Sequence, residues 1–249
     1  MTDTETVENK GTIEDMFKVG AHFGYSKSKR HPSMKSLIFG VKNTVEIIDL
    51  EKTDKYLARA KEFVASIAKE GKQILFVGSK NEAREIVKEA AESIEMPYVI
   101  ERWIGGTLTN FSEIKKRIAR LEDLTLKKEK GELGMYTKKE RLLIDREIEG
   151  LEKHFGGLLA MKQKPAAIFV IDSGAENIAV KEAKGTNIPL ISLSGSDCNI
   201  KGIDYPIPAN DSSRSSITFF VDAITSAYKI NFQATPAPAA KPTMASEAN

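Results

Sequence analysis

QILFVGSKNEAREIVKEAAESIEMPYVI, residues 73–100, decides the fold. Its apolar runs QILFV (73–77) and YVI (98–100) do not alternate with polar residues, which marks strands covered on both faces rather than one. Between them Asn81 to Glu95 repeats its apolar residues at helical spacing, and Pro97 closes the helix. The same unit recurs outward along the chain. VEII (45–48), AAIFVI (166–171) and IPLISL (188–193) read as further buried strands. Asp49 caps a helix running to about Glu70, with Leu50, Leu57, Ala60, Val64, Ile67 and Ala68 on one face and Gly71 at its end. A last helix, from about Ser213 to Phe232, offers Ile217, Phe220, Val221, Ile224 and Tyr228 to the sheet. Strands that alternate with helices predict an α/β fold with a doubly wound parallel sheet.

The alternation stops between Ser112 and Lys153, where 12 basic and 10 acidic residues fall among 42 and no strand pattern appears. Ile114, Ile118, Leu121 and Leu124 form one apolar seam, Gly131 and Gly134 mark a turn, and Ile144, Ile148, Leu151 and Phe155 form a second seam. Those steps of three and four predict an antiparallel coiled-coil helical hairpin inserted into the core. The expected organisation is a flexible start at 1–12, an α/β core at 13–111 and 154–232, the hairpin at 112–153, and a disordered Ala/Pro-rich tail at 233–249.

The 249 residues suit one large domain or a domain with an insertion. The longest run without a charged residue is the twelve from Gly185 to Ser196, well short of the roughly 20 apolar residues needed to span a bilayer. No membrane role is expected. The first fifteen residues carry five acids and one lysine, which argues against a secretory signal, and the single Cys198 fits a reducing, cytoplasmic setting.

Loops after the strands contain Gly and Ser, as VGSKNEA (77–83), IDSGAEN (171–177) and LSGSDCN (193–199), but none matches a dinucleotide or phosphate-loop fingerprint. An α/β enzyme binding a small phosphorylated ligand is therefore the rival reading. His22, His31 and His154 show no metal-ligand spacing with Cys198 or the carboxylates, and Ser194 or Ser196 lies in no nucleophile elbow. No catalytic residue, cofactor, metal or small-molecule substrate is assigned.

The net charge of +2 conceals an uneven distribution. Residues 16–45 hold Lys18, Lys27, Lys29, Arg30, Lys35 and Lys42 and no acid. Within them GAHFGYSKSKRHPSMKSLIFGVKN (20–43) interleaves the cations with Phe23, Tyr25 and Phe39, while Gly20, Gly24, Pro32 and Gly40 prevent a long helix. Cations that neutralise phosphates beside rings that stack on exposed bases suit RNA or another polyanion; a basic surface loop is the alternative. RWIGGTLTNF (102–111) follows a strand end; Trp103 anchors the hairpin there, and Arg102 or the backbone amides are free to meet RNA. Lys115, Lys116, Arg117 and Arg120, near the hairpin's base, are placed to face an anionic partner.

These stretches resemble a known family. GAHFG (20–24), IFGVKN (38–43), IIDLEKT (47–53), ILFVGSK (74–80), RWIGGTLTN (102–110), MYTKKE (135–140), FVIDS (169–173) and IPANDSSR (207–214) run in the order found in bacterial small-subunit ribosomal proteins of the number-two family. The resemblance implies a flavodoxin-like sheet with a coiled-coil hairpin, no enzymatic activity, and attachment to small-subunit rRNA between head and body. It also implies neighbouring small-subunit proteins as partners, including protein number one, which it would help to seat near the messenger exit. Carried onto this chain, Lys27, Lys29, Arg30, Lys35, Lys42 and Arg102 pair with phosphates, and Lys18 belongs to the same RNA-binding set. His22, Tyr25, His31 and Trp103 stack, cover sugars or pack, and Asn43, Asn110, Lys115, Arg117 and Arg214 complete the expected RNA-facing set. The chain departs from the family at Tyr25, where a histidine is usual, at SKRHPSM (28–34), and at LSGSDCN, which lacks the usual acidity except at Asp197.

Overall fold

The computed structural model describes residues 12–233, so the expectations for most of the N-terminal stretch and the Ala/Pro-rich tail lie outside the described residues. Residue 12 is already helical, as part of α1 (12–18), and the last helix runs to Gln233. Two sheets follow. Strands β1 (Phe23–Ser26), β2 (Ile38–Lys42) and β3 (Val45–Ile48) form a small antiparallel sheet in the order β1-β3-β2. The main sheet is parallel and comprises β4 (Ile74–Val77), β5 (Tyr98–Val99), β6 (Ala167–Ile171), β7 (Leu190–Ser194) and β8 (Tyr205–Pro208) in the order β5-β4-β6-β7-β8. Counted within that sheet the order is 2-1-3-4-5, the flavodoxin-like arrangement.

Burial on both faces explains the uninterrupted apolar strands. Ile74, Phe76, Phe169, Ile171, Ile191 and Leu193 join one core, against α2 (Leu50–Lys69), α3 (Asn81–Glu92) and α7 (Arg214–Gln233). Their neighbours Leu75, Val77, Ile168, Val170 and Leu190 join the other, under α6 (Asn177–Gly185) and the base of the helical hairpin. Phe76 and Phe169 meet edge to face at 5.6 Å, a geometry that contributes about 0.5–1.5 kcal/mol beyond the area buried. Asp49 caps α2 as expected, accepting from the N–H groups of Glu51 and Lys52.

The hairpin consists of α4 (Phe111–Glu129) and α5 (Lys138–Phe155), antiparallel and joined by a turn in which Gly131 takes φ +71°. Thr137 and Glu140 form a capping box at the start of α5. Ile114, Ile118, Leu121 and Leu124 meet Ile148, Leu151 and Phe155, and these seams are continuous with the second core.

VEII is not part of the parallel sheet, as its apolar run suggested, but the centre of the small one. Asn43 and Thr44, at φ +50° and +68°, make the two-residue turn that pairs Lys42 with Val45, and so short a link permits only an antiparallel partner. Strand β8 has no counterpart in the sequence reading, because Pro206 and Pro208 break the strand pattern; both are tolerated since β8 is an edge strand. The second helix ends at Glu92 rather than Glu95, whose φ of +53° has already left the helical region.

Candidate nucleic-acid interface

The acid-free segment is a structured layer bound to the C-terminal edge of the parallel sheet. Ser196, in the loop after β7, accepts from Tyr25 N at 2.8 Å through its hydroxyl and from His31 N at 3.0 Å through its carbonyl. Asn210, in the loop after β8, donates its backbone N–H to Ala21 O and its amide to Gly20 O, at 2.9 and 3.1 Å. Ser33 accepts from Ile200 N, and Tyr25 Oη lies 2.6 Å from Ser212 Oγ. Gly24 keeps this contact close: a Cβ there would lie 3.0 Å from Ser196 Oγ and 3.3 Å from the Glu46 carbonyl, so its neighbours would have to give way.

On this layer Lys27, Lys29, Lys35 and Lys42 are exposed, and none of them is in an ion pair shorter than 4 Å with a described residue; Lys29 Nζ sits 5.7 Å from the centre of the Tyr25 ring. Asn43 is exposed at the hairpin turn. Lys18 pairs with Asp15 at 2.9 Å, but both are largely exposed, so solvent and salt weaken the pair and leave the ammonium available to a phosphate.

Several expected contacts are corrected by the geometry. Arg30 donates to Glu46, which is fully buried, at 2.9 Å, so its charge serves an internal pair. His22 is 8% exposed and stacked on Phe17, and burial lowers its pKa so that the ring is neutral at pH 7. His31 uses Nδ1 to accept from Ser33 N at 3.2 Å, capping a short 3-10 turn. Trp103 is 4% exposed and gives its N–H to Glu182, so it packs and presents no face for stacking. Arg214, at the first turn of α7, is not corrected in this way: it pairs with Glu85 at 2.5 Å, but both side chains are largely exposed, so, as for Lys18, the guanidinium stays available to a phosphate. On the hairpin Lys116 pairs with Glu113 and Arg120 with Glu147, whereas Lys115 and Arg117 are exposed and unpaired among the described residues.

Glu182, unmarked in the sequence because a single glutamate on a helix carries no signal, organises the RWIGGTLTN loop. Its Oε1 accepts from Trp103 Nε1 and Gly106 N at 3.1 and 2.7 Å, and its Oε2 from Leu108 N, Thr109 N and Thr109 Oγ1 at 3.0, 3.2 and 3.2 Å. This clasp positions the start of α4, with Arg102 and Asn110 exposed on either side of it.

The three Gly/Ser loops considered for a phosphorylated ligand are occupied with one another. Lys80 binds Asp172 at 2.5 Å and Asp211 at 3.0 Å, Cys198 Sγ donates to Asp172 at 3.2 Å, and Ser79 donates to buried Glu176. Burial opposes the Lys80 charge, but the Asp211 and Asp172 carboxylates outweigh it and raise its pKa. Burial beside Asp172 pushes Asp211 up to about 6 despite Lys80. Burial likewise raises the Cys198 thiol, which is therefore un-ionised and a poor nucleophile. Donor atoms of Asp172, Cys198 and Asp211 lie within 4.8 Å of one another, yet the positive charge at this cluster is the Lys80 ammonium. No helix among the described residues is long and apolar enough to cross a membrane.

Comparison with known proteins agrees with the sequence resemblance. The profile of a family described as ribosomal protein S2 matches residues 16–230. A small ribosomal subunit protein uS2 of Helicobacter hepaticus is 44% identical over 216 residues, covering 87% of this chain and 82% of that protein. Proteins of the same name from Helicobacter acinonychis and Wolinella succinogenes are each 43% identical, over 87% and 84% of this chain and 88% and 77% of their own lengths. A match of that extent, on a flavodoxin-like sheet with its helical hairpin, places this chain in the ribosomal protein S2 family.

Proposed function

We propose that this chain binds small-subunit rRNA through the layer formed by β1, β2 and β3, with the base of the hairpin as a second contact. The family is one of structural ribosomal proteins, and the chain is a ribosomal protein rather than an enzyme. The observation that carries the RNA reading is the set of four exposed lysines, Lys27, Lys29, Lys35 and Lys42, on an ordered layer without a competing exposed acid; its one acid, Glu46, is buried against Arg30. Arg102, Asn110, Lys115 and Arg117 extend the contact along the start of α4. Contacts of this kind read phosphate positions and RNA shape rather than base sequence. A cytoplasmic ribosome, a place between head and body, and a role in seating protein number one near the messenger exit belong to the same reading; they rest on the family resemblance alone.

The test reverses two exposed lysines that are in no ion pair among the described residues. Lys27→Glu with Lys29→Glu should weaken binding to small-subunit rRNA and lower the slope of log affinity against log salt by about 2, at roughly 0.9 for each phosphate no longer neutralised. The variant should also be depleted from subunits in low-salt gradients. Unchanged slope and unchanged incorporation would remove this layer from the interface.

A further inference from the structure

Three rings at the start of the basic layer form an ordered stack. Phe17 and His22 lie 4.4 Å apart at 9°, and His22 and Phe23 lie 4.1 Å apart at 39°. The inner ring is buried, but Phe17 is 62% exposed and Phe23 49%. Gly20, at φ +73°, turns the chain so that residues 17, 22 and 23 converge, and buried Met16 and Ala21 hold the turn through an Ala21 N to Met16 O bond of 3.0 Å. Nδ1 of His22 is buried without a hydrogen-bond partner, so packing between the two phenyl rings holds the imidazole. Beside Phe23 opens a recess of about 210 Å³, lined also by Tyr25, Gly195, Asn210, Asp211 and Ser212.

We propose that Phe23, backed by His22 and then Phe17, forms a stacking platform for one unpaired base of the small-subunit rRNA, which lies against Phe23 in this recess. The inference deepens the RNA reading and rests on it. An exposed ring held rigid by two rings stacked behind it is a pre-organised aromatic face, and every base has a π-face to lay on it. The recess supplies polar groups for a base edge: Ser212 lies 2.6 Å from Tyr25 Oη and donates its backbone N–H to Asn210 Oδ1. The carboxylate of Asp211 is taken up by Lys80 at 3.0 Å. A base also brings phosphates, and Lys18, Lys27 and Lys29 are exposed close to these rings in the chain, the last drawn over the Tyr25 ring. An apolar protein segment has no use for that charge, whereas a nucleotide matches ring and cation together.

The experiment uses the full chain with a single-stranded RNA oligonucleotide carrying one 2-aminopurine, alongside intact small-subunit rRNA. The wild-type chain should quench the 2-aminopurine emission. Phe23→Leu should lose most of the quenching and bind rRNA roughly 5- to 150-fold more weakly with an unchanged salt slope, while Phe23→Tyr, and Phe17→Leu on the far side of His22 from the base, retain most of both. Phe23→Tyr and Phe17→Leu guard against a folding defect in Phe23→Leu. If rRNA binding keeps its lysine-dependent salt slope and Phe23→Leu binds and quenches as wild type does, the platform is overturned and the RNA interface stands. A wild-type chain without salt-dependent rRNA binding overturns both. A Phe23→Leu variant with normal rRNA affinity that fails to retain a neighbouring subunit protein assigns the ring to a protein contact and overturns the proposal.

Discussion

Glu182→Gln alters one atom of the carboxylate, keeps its volume, and tests whether the clasp on residues 103–109 holds the base of the hairpin. If the amide nitrogen replaces Oε1, it faces the N–H groups of Trp103 and Gly106; if it replaces Oε2, it faces the N–H of Leu108 and both donors of Thr109. At least two donors therefore lose their acceptor in either orientation. A stranded buried donor costs about 1–3 kcal/mol; Thr109 is exposed and Gly106 half-buried, so either orientation strands one fully buried donor, of Trp103 or Leu108, and the variant should be destabilised by about 1–3 kcal/mol at neutral pH. The pH dependence is a second signature. Burial works to raise the Glu182 pKa, but the N–H groups of Gly106 and Leu108, then Trp103 and Thr109, outweigh it and hold it below the ordinary 4.5. A carboxylate with a depressed folded pKa contributes stability that is complete above its unfolded value and is lost as the pH falls through the folded one. The gap between wild type and variant should therefore be widest near neutrality and begin to close below 4.5. Trp103 is the chain's only tryptophan and touches Glu182 directly, so urea unfolding followed by its emission reports on the clasp itself. A variant within about 0.5 kcal/mol of wild type, the range of ordinary surface substitutions, would refute the reasoning. So would a gap that stays constant on acidification.

Two more outcomes follow from the buried charges. Arg30→Ala strands Glu46, which is fully buried, and should cost about 3–5 kcal/mol in urea unfolding; Lys29→Ala, on an exposed side chain, should change stability by less than about 0.5 kcal/mol. Equal unfolding midpoints for the two variants would show that Arg30 is a surface cation after all. The Asp211 carboxyl, with a folded pKa above its unfolded one, makes stability fall as the pH rises from about 4 to about 6. Asp211→Asn should remove that fall, and a carboxyl titration by NMR should find a midpoint near 6 rather than at the ordinary 3.8.

The parallel sheet was legible because its strands are apolar on both faces. ILFV and AIFVI have no polar side to conceal, so their pattern survives in one dimension and the helices between them follow. The hairpin was legible for a similar reason, since seam residues three and four apart carry the same information in sequence as in space. The small sheet was not. β3 reads as one more buried strand, and only the positive φ angles at Asn43 and Thr44 turn it back onto β2.

For the site, the sequence by itself determined that six cations occur in residues 16–45 without an acid. It could not say which of those cations are free. Arg30 looks like Lys29 in the chain, but Glu46, sixteen residues away, lies directly against it once β3 is in place. Trp103 and His22 look like stacking rings until folding buries them, one against Glu182 and the other between two phenylalanines. Charge density and apolar periodicity are local properties and can be read along a chain. Whether a charge is neutralised or a ring is covered depends on residues brought from far away, and only the tertiary structure decides that.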